Sequence, residues 1–207
     1  MSANLSITET RPQPASLRSF IAGVDEAVAV ERDPHTIAAA VQMHLAPLLR
    51  DGSFLLPEFR EPWPDRYRTH LVAVAPSRAF SVMSLVWMPG QVTPIHDHIC
   101  WCVVGVLQGL EREQRFGLRE DEAGQCWLVP LEDTQLAVGE TCALIPPDEN
   151  IHQVRNAGDT LAISIHVYGA DLSTGDRHSS INQCFDELPI RSDAASGRAV
   201  AWRRAGE

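Results

Sequence analysis

The chain contains no lysine. All 17 residues in the Lys+Arg total are arginine, which excludes every chemistry that needs an amine side chain: a Schiff base, a lysine-bearing phosphate loop, a lysine general base. Positive charge is scarce overall, since 27 Asp and Glu residues leave a net charge of -10. A nucleic-acid surface needs a clustered basic face, so nucleic acid is not an expected partner. An anionic small substrate would have to be held against this field by a local cation, either a particular arginine or a metal ion. Long apolar runs are missing as well. No stretch approaches the ~18 residues of a membrane span, and the opening MSANLSITETRPQPASLRSF has no apolar run flanked by basic residues, so neither a signal nor a membrane anchor is expected. The five cysteines are odd in number and lack paired spacing, which argues against a secreted disulfide framework and for a reducing, cytoplasmic setting.

What is present is the composition of a soluble, core-forming chain: 207 residues, 44% hydrophobic and 21% charged, the size of one domain. Its expected parts are a helical region over about 1–60, a β-barrel over about 67–170, and a C-terminal extension over about 171–207 with little periodicity and a mobile polar end. Helices are expected over Ser16 to Arg32 and from Pro34 onward. Asp33 serves as N-cap of the second, where Ile37, Val41, Leu45, Leu48 and Leu49 recur at helical spacing. Pro47 inside that run is expected to kink or shorten it. Short β-like runs follow: Tyr67–Ala75, Phe80–Met88, His96–Leu107, Leu110–Phe116, Gln125–Leu131, Thr141–Ile145, His152–Arg155 and Thr160–Tyr168. Turn clusters such as Pro89-Gly90 and Asn156-Ala157-Gly158-Asp159 separate them, the texture of a sandwich or small barrel.

The most informative segment runs from Pro89-Gly90 to His96-Asp97-His98. Side chains alternate along a strand, so His96 and His98 point to one face and can grip a single ion. His152 follows a second proline turn, Pro146-Pro147, at the start of another strand. Three imidazoles from two neighbouring strands make one face of a coordination polyhedron and leave the opposite positions for substrate and oxygen or water. Imidazole ligation suits iron, zinc, copper and nickel alike. Ser164, His166 and Tyr168 alternate along one further strand and share a face, the expected barrel interior.

These motifs resemble the cupin superfamily. Gly90, five residues, His96-Asp97-His98 and the closing Gly109 fit its first motif, and Pro147, His152 and Asn156 fit its second. Two positions depart. The usual glutamate ligand is absent, its place taken by Cys102 or Val103 depending on alignment, and Glu149 stands where the second motif has glycine. Three neutral ligands would leave an ion its full dipositive charge, which favours thiolate and carboxylate.

Within the cupins, the His-only set, the phrase HDHICWCVVGVLQGLERE and the row Ser164-Ile165-His166-Val167-Tyr168 are similar to the cysteine dioxygenase type I family over about residues 67–180. The resemblance implies a mainly β, double-stranded β-helix (jelly-roll) barrel with N-terminal α-helices. It implies Fe(II) on His96, His98 and His152, and a small carboxylated thiol and O2 as partners, with the sulfinate as product. It also implies a relay: Ser164 orients His166, and His166 orients Tyr168, whose phenol reaches toward the reacting oxygen or the substrate carboxylate. Some members carry a cysteine near Cys102 that forms a thioether with the tyrosine matching Tyr168; a small buried hydrophobe is the alternative role. Cys100 shares its strand parity, which puts either cysteine near the site if no bulge intervenes. Arg177, nine residues after Tyr168, has the spacing of the substrate arginine in bacterial mercaptopropionate-type members. Thr69, two residues after Tyr67, stands where mammalian-type members have arginine and mercaptopropionate-type members glutamine. Arg68 reaches the site only if the strand register shifts. The missing arginine at Thr69 turns the expectation toward the mercaptopropionate-type members, with 3-mercaptopropionate, cysteine or a relative as the thiol. Cys126, Cys142 and Cys184 have no motif context and read as packing residues. Two other readings stay open at this point: a cupin isomerase or a hydrolase using zinc-activated water, and a non-catalytic metal-containing module that binds a small acid. Oligomeric state is not legible in the chain.

Overall fold

The computed structural model describes residues 13–122, 124, 126–147, 150–174, 183–188 and 201–204. Two helices come first, α1 (Ala15–Val30) and α2 (Pro34–Asp51). In each, the residues at helical spacing are the buried ones: Leu17, Phe20, Ile21 and Val24 in α1, and Ile37, Ala38, Val41, Leu45, Leu48 and Leu49 in α2. Asp33 caps α2 as expected, its carboxylate accepting the Thr36 backbone N–H at 3.0 Å. Pro47 does not end the helix, which runs to Asp51 and stops at Gly52 in the left-handed region. Burial of Leu45, Leu48 and Leu49 around it, each worth ~1.5–3 kcal/mol, outweighs the ~3 kcal/mol cost of an interior proline.

Eleven strands follow among the described residues: β1 (Arg68–Val74), β2 (Ser81–Trp87), β3 (His96–Asp97), β4 (Cys102–Gln108), β5 (Glu111–Glu120), β6 (Cys126–Leu136), β7 (Thr141–Leu144), β8 (Ile151–Asn156), β9 (Ala162–Tyr168), β10 (Gln183–Leu188) and β11 (Ala201–Arg204). They form two antiparallel sheets, ordered β1-β2-β9-β4-β7 and β11-β10-β3-β8-β5-β6, the double-stranded β-helix of a cupin. No helix among the described residues is long and apolar enough to cross a membrane.

The central strands of the five-stranded sheet, β2, β9 and β4, are buried on both faces, and their alternation assigns each face a task. Val82, Val86, Val103, Leu107, Ile163, Ile165 and Val167 join the helix residues in one apolar core. The opposite parity turns Met83, Leu85, Trp87, Cys102, Val104, Ser164, His166 and Tyr168 toward the barrel interior. Two glycines allow close approach. At Gly105 a Cβ would meet Leu49 Cδ1 at 2.5 Å, so the bare backbone lets α2 settle on β4. Gly109, in the β4–β5 turn, has φ 78° and would place a Cβ 2.8 Å from Ala162 Cα.

Two strand expectations are corrected. The run His96–Leu107 is not one strand: β3 belongs to the six-stranded sheet and β4 to the other, and the chain bends over Ile99 and Cys100 to cross between them. The C-terminal extension is not wholly irregular, because β10 pairs with β3, Cys184 opposite His96, and β11 pairs with β10. These strands are held by backbone pairing and carry polar sequences, Gln-Cys-Phe-Asp-Glu-Leu and Ala-Trp-Arg-Arg, without the apolar alternation that marks the rest.

Candidate metal centre

His96 on β3 stands directly opposite His152 on β8 in the ladder, and His98 follows one residue beyond β3. The three rings converge with centroid separations of 4.5, 4.9 and 5.1 Å, and all three residues are buried. Each Nδ1 faces an oxygen: His96 the Pro94 carbonyl at 3.0 Å, His98 the Asn150 Oδ1 at 3.1 Å, His152 the Glu113 Oε1 at 2.7 Å. Oxygen acceptors make each Nδ1 the donor, so the Nε2 atoms carry the lone pairs. Asn150 is itself fixed by donating to the His98 carbonyl at 2.6 Å, and the second Glu113 oxygen accepts from Arg115 Nε at 3.1 Å.

The donor set fits a metal ion. One ligand atom from each histidine lies within 4.8 Å of the others, and burial lowers the affinity of all three rings for a second proton, with the neighbouring imidazoles adding to the effect at His98 and His152. The Nε2 atoms of His96 and His152 stand 3.1 Å apart. Two lone pairs at that separation repel unless a cation lies between them, and two imidazole nitrogens sharing one ion at ~2.1 Å are ~3.0–3.4 Å apart. Among the described residues no carboxylate joins this set. Glu113 serves it indirectly by orienting His152 and raising its basicity. Glu113 escapes the sequence reading because it sits in a charged hairpin run. Its spacing of two from Glu111, on either side of Arg112, was the available signal.

Beside the triad runs the second row. His166 Nδ1 is 3.1 Å from the Tyr168 hydroxyl, His166 Nε2 is 2.9 Å from Ser164 Oγ, and Trp87 Nε1 donates to Ser164 Oγ at 3.1 Å. Trp87 is a member that sequence reasoning missed. Burial pushes His166 down to about 3, so the ring is neutral, and pushes the Tyr168 phenol well above its ordinary range. The Tyr168 ring is 5.8 Å from that of His98. Cys102 stands opposite Tyr168 in the β4–β9 ladder, is fully buried, and hydrogen-bonds the tyrosine side chain. Burial raises its thiol well above the usual range, whereas half-buried Cys100 lies in the bend and is raised to about 11.

A cavity of about 170 Å³ opens onto both groups. Tyr67, Thr69, Thr93 and Trp87 line it with His96, His152, His166 and Tyr168, and Met83, Leu85 and Val154 supply apolar wall. Thr69 therefore faces the cavity at an exposed position, while Arg68, also exposed, has the opposite parity. Arg177 lies outside the described residues, as does Glu149. Cys142 packs in the cluster that holds Cys102 and Tyr168. The side chains of Cys126 and Cys184 lie outside the described part.

The model of the cysteine dioxygenase type I family matches residues 61–180, which include all three imidazoles and the whole second row. The chain belongs to that family. Curated cysteine dioxygenase type 1 proteins of Homo sapiens and Rattus norvegicus are 30% and 29% identical to it over 111 residues, 53% of this chain and 54% of each relative. The chain thus spans about half the length of the curated relatives it matches. Among solved structures, an oxalate oxidase in complex with glycolate is 20% identical with a TM-score of 0.40 over 53% of each chain. A protein with a double-stranded β-helix domain from Klebsiella pneumoniae is 18% identical with a TM-score of 0.42, over 58% of this chain and 90% of that one. The matched cysteine dioxygenase segment begins just before β1 and takes in the barrel strands that carry the site.

Proposed function

We propose that the protein is an Fe(II)-dependent thiol dioxygenase that oxidises a small carboxylated thiol to its sulfinate. The observation that carries this reading is the pairing of an all-imidazole triad with the Ser164, His166 and Tyr168 row around one small cavity. Held by His96, His98 and His152, an iron(II) ion would supply binding for the thiolate and O2 and a path for electrons between them. The reaction balances without an organic cosubstrate: sulfur loses four electrons, O2 gains four, and both oxygen atoms end in the sulfinate.

The chain's own groups do the rest. Tyr168 stays protonated and can donate its hydrogen to an oxygen of the reacting ligands. Neutral His166 holds the phenol at one end and Ser164 at the other, and Trp87 pins Ser164. Met83, Leu85 and Val154 keep water from that side of the cavity. Arg177 is assigned to the substrate carboxylate on its spacing from Tyr168, a charge-assisted contact worth roughly 1.5–3 kcal/mol. Thr69 lies at the cavity wall where it can bear on the same group.

The test is O2 uptake by the Fe(II)-loaded protein with 3-mercaptopropionate, cysteine, cysteamine and mercaptosuccinate. Uptake with a carboxylated thiol and formation of its sulfinate are expected. A protein that retains iron and consumes no O2 with any of them is not a thiol dioxygenase.

A further inference from the structure

Glu111, the first residue of β5, is 1% exposed, and its carboxyl meets the Ser164 and Trp87 side chains at the margin of hydrogen-bonding geometry. It lies at the far end of the second row from Tyr168. Ser164 of β9 and Trp87 of β2 are close enough to favour its ionised form, and Glu113 along β5 opposes it. Across the ladder on β8 stands Asn156, whose amide is committed to the Trp87 and Thr160 carbonyls. Burial dominates and raises the carboxyl to about 7.

Counting hydrogens along the row leaves two arrangements. Neutral His166 carries one ring hydrogen, and Ser164 Oγ already accepts from Trp87. In the first, Ser164 donates to His166 Nε2, His166 Nδ1 donates to the Tyr168 oxygen, and the phenolic hydrogen turns to the cavity. In the second, Tyr168 donates to His166 Nδ1 and His166 Nε2 donates to Ser164. The serine hydrogen then needs a further acceptor, and Glu111 faces it. A carboxylic acid at Glu111 can donate to Ser164 and suits the first arrangement. A carboxylate can only accept and suits the second, which holds one proton fewer, released to solvent.

We propose that Glu111 is the terminal member of the Ser164, His166 and Tyr168 row, a positioning residue whose carboxyl proton decides which way the row's hydrogens point. The proton sits two side chains, Ser164 and His166, from the Tyr168 phenol, yet it sets whether the Tyr168 hydrogen is offered to a ligand or turned back to His166. The bearing of this wiring on catalysis rests on the dioxygenase reading, but the wiring itself can be read in the resting protein.

The experiment uses the full chain with ¹⁵N-labelled histidine and zinc(II) as a diamagnetic ion, titrated between pH about 5 and about 9. The His166 signals are identified by their loss in His166→Gln. In the unsubstituted protein the ring hydrogen moves from Nδ1 at low pH to Nε2 at high pH, and in Glu111→Gln, which cannot ionise, it stays on one nitrogen throughout. An infrared carbonyl band of a protonated carboxyl disappears over the same pH interval and is absent from the variant. Should Glu111→Gln fail to fold, the coincidence of the two titrations in the unsubstituted protein decides the matter. A His166 hydrogen that stays put across the range, or one that moves equally in Glu111→Gln, overturns the proposal. Absence of O2 uptake with every thiol would instead remove the dioxygenase reading and leave these titrations unchanged.

Discussion

Glu113 accepts the Nδ1 hydrogen of His152 at 2.7 Å, and both side chains are buried. The carboxylate fixes the tautomer that turns Nε2 inward. Glu113→Gln keeps the shape and removes the charge, and is expected to weaken metal binding ~10–100-fold. His152→Ala is expected to abolish it. Competition with a chelator measures both; equal affinity in Glu113→Gln and the parent protein would deny the carboxylate any part in tuning the ligand.

Cys102 and Tyr168 face each other across β4 and β9. Protein exposed to iron, thiol and O2 is expected to acquire a thioether between them, with O2 taking up the two electrons and two protons lost. Intact mass should fall by two hydrogens in a fraction of the molecules, and Cys102→Ala or Tyr168→Phe should prevent it. Peptide mapping that finds both residues always unmodified would leave Cys102 as a packing residue.

The neutral state of His166 carries a pH dependence with a definite sign. Its ring is lowered from an ordinary 6.5 to about 3 in the folded chain. The unfolded chain therefore binds the proton first. The contribution to stability is fully present above pH 6.5 and is lost as pH falls toward 3. Urea midpoints at pH about 7 and about 4 should differ more for the parent protein than for His166→Gln. Parallel behaviour of the two would place the acid sensitivity elsewhere.

Gly109→Ala tests the turn between the sheets. The alanine would have to adopt φ 78° with its Cβ 2.8 Å from the Ala162 backbone. Strain and overlap together predict a loss of more than ~1–3 kcal/mol, read as a lower unfolding temperature. A variant as stable as the parent would mean that the β4–β5 turn can move away from β9.

The imidazoles and the second row were legible in the sequence because residue type and strand period coincide there. His at one-residue spacing, or Ser, His and Tyr in strict alternation, has few bland explanations. The crossing from β3 to β4 was not legible, since Ile99, Cys100 and Trp101 are as apolar as the strand that follows. Glu113 and Glu111 were hidden for the opposite reason: carboxylates interleaved with arginines in Glu111-Arg112-Glu113 look like a solvated hairpin, and only the burial of one strand face separates them from their neighbours. Strands β10 and β11 depend on partners distant in the chain, and their own polar sequences carry no period.

The cavity beside the triad has one more consequence. Its volume of about 170 Å³ falls well short of the ~300–1,000 Å³ that drug-sized ligands occupy. A molecule of a few heavy atoms fits such a space. Entry to the site would thereby depend on the size of the incoming molecule. Selection of this kind acts by admission, before any affinity is exercised.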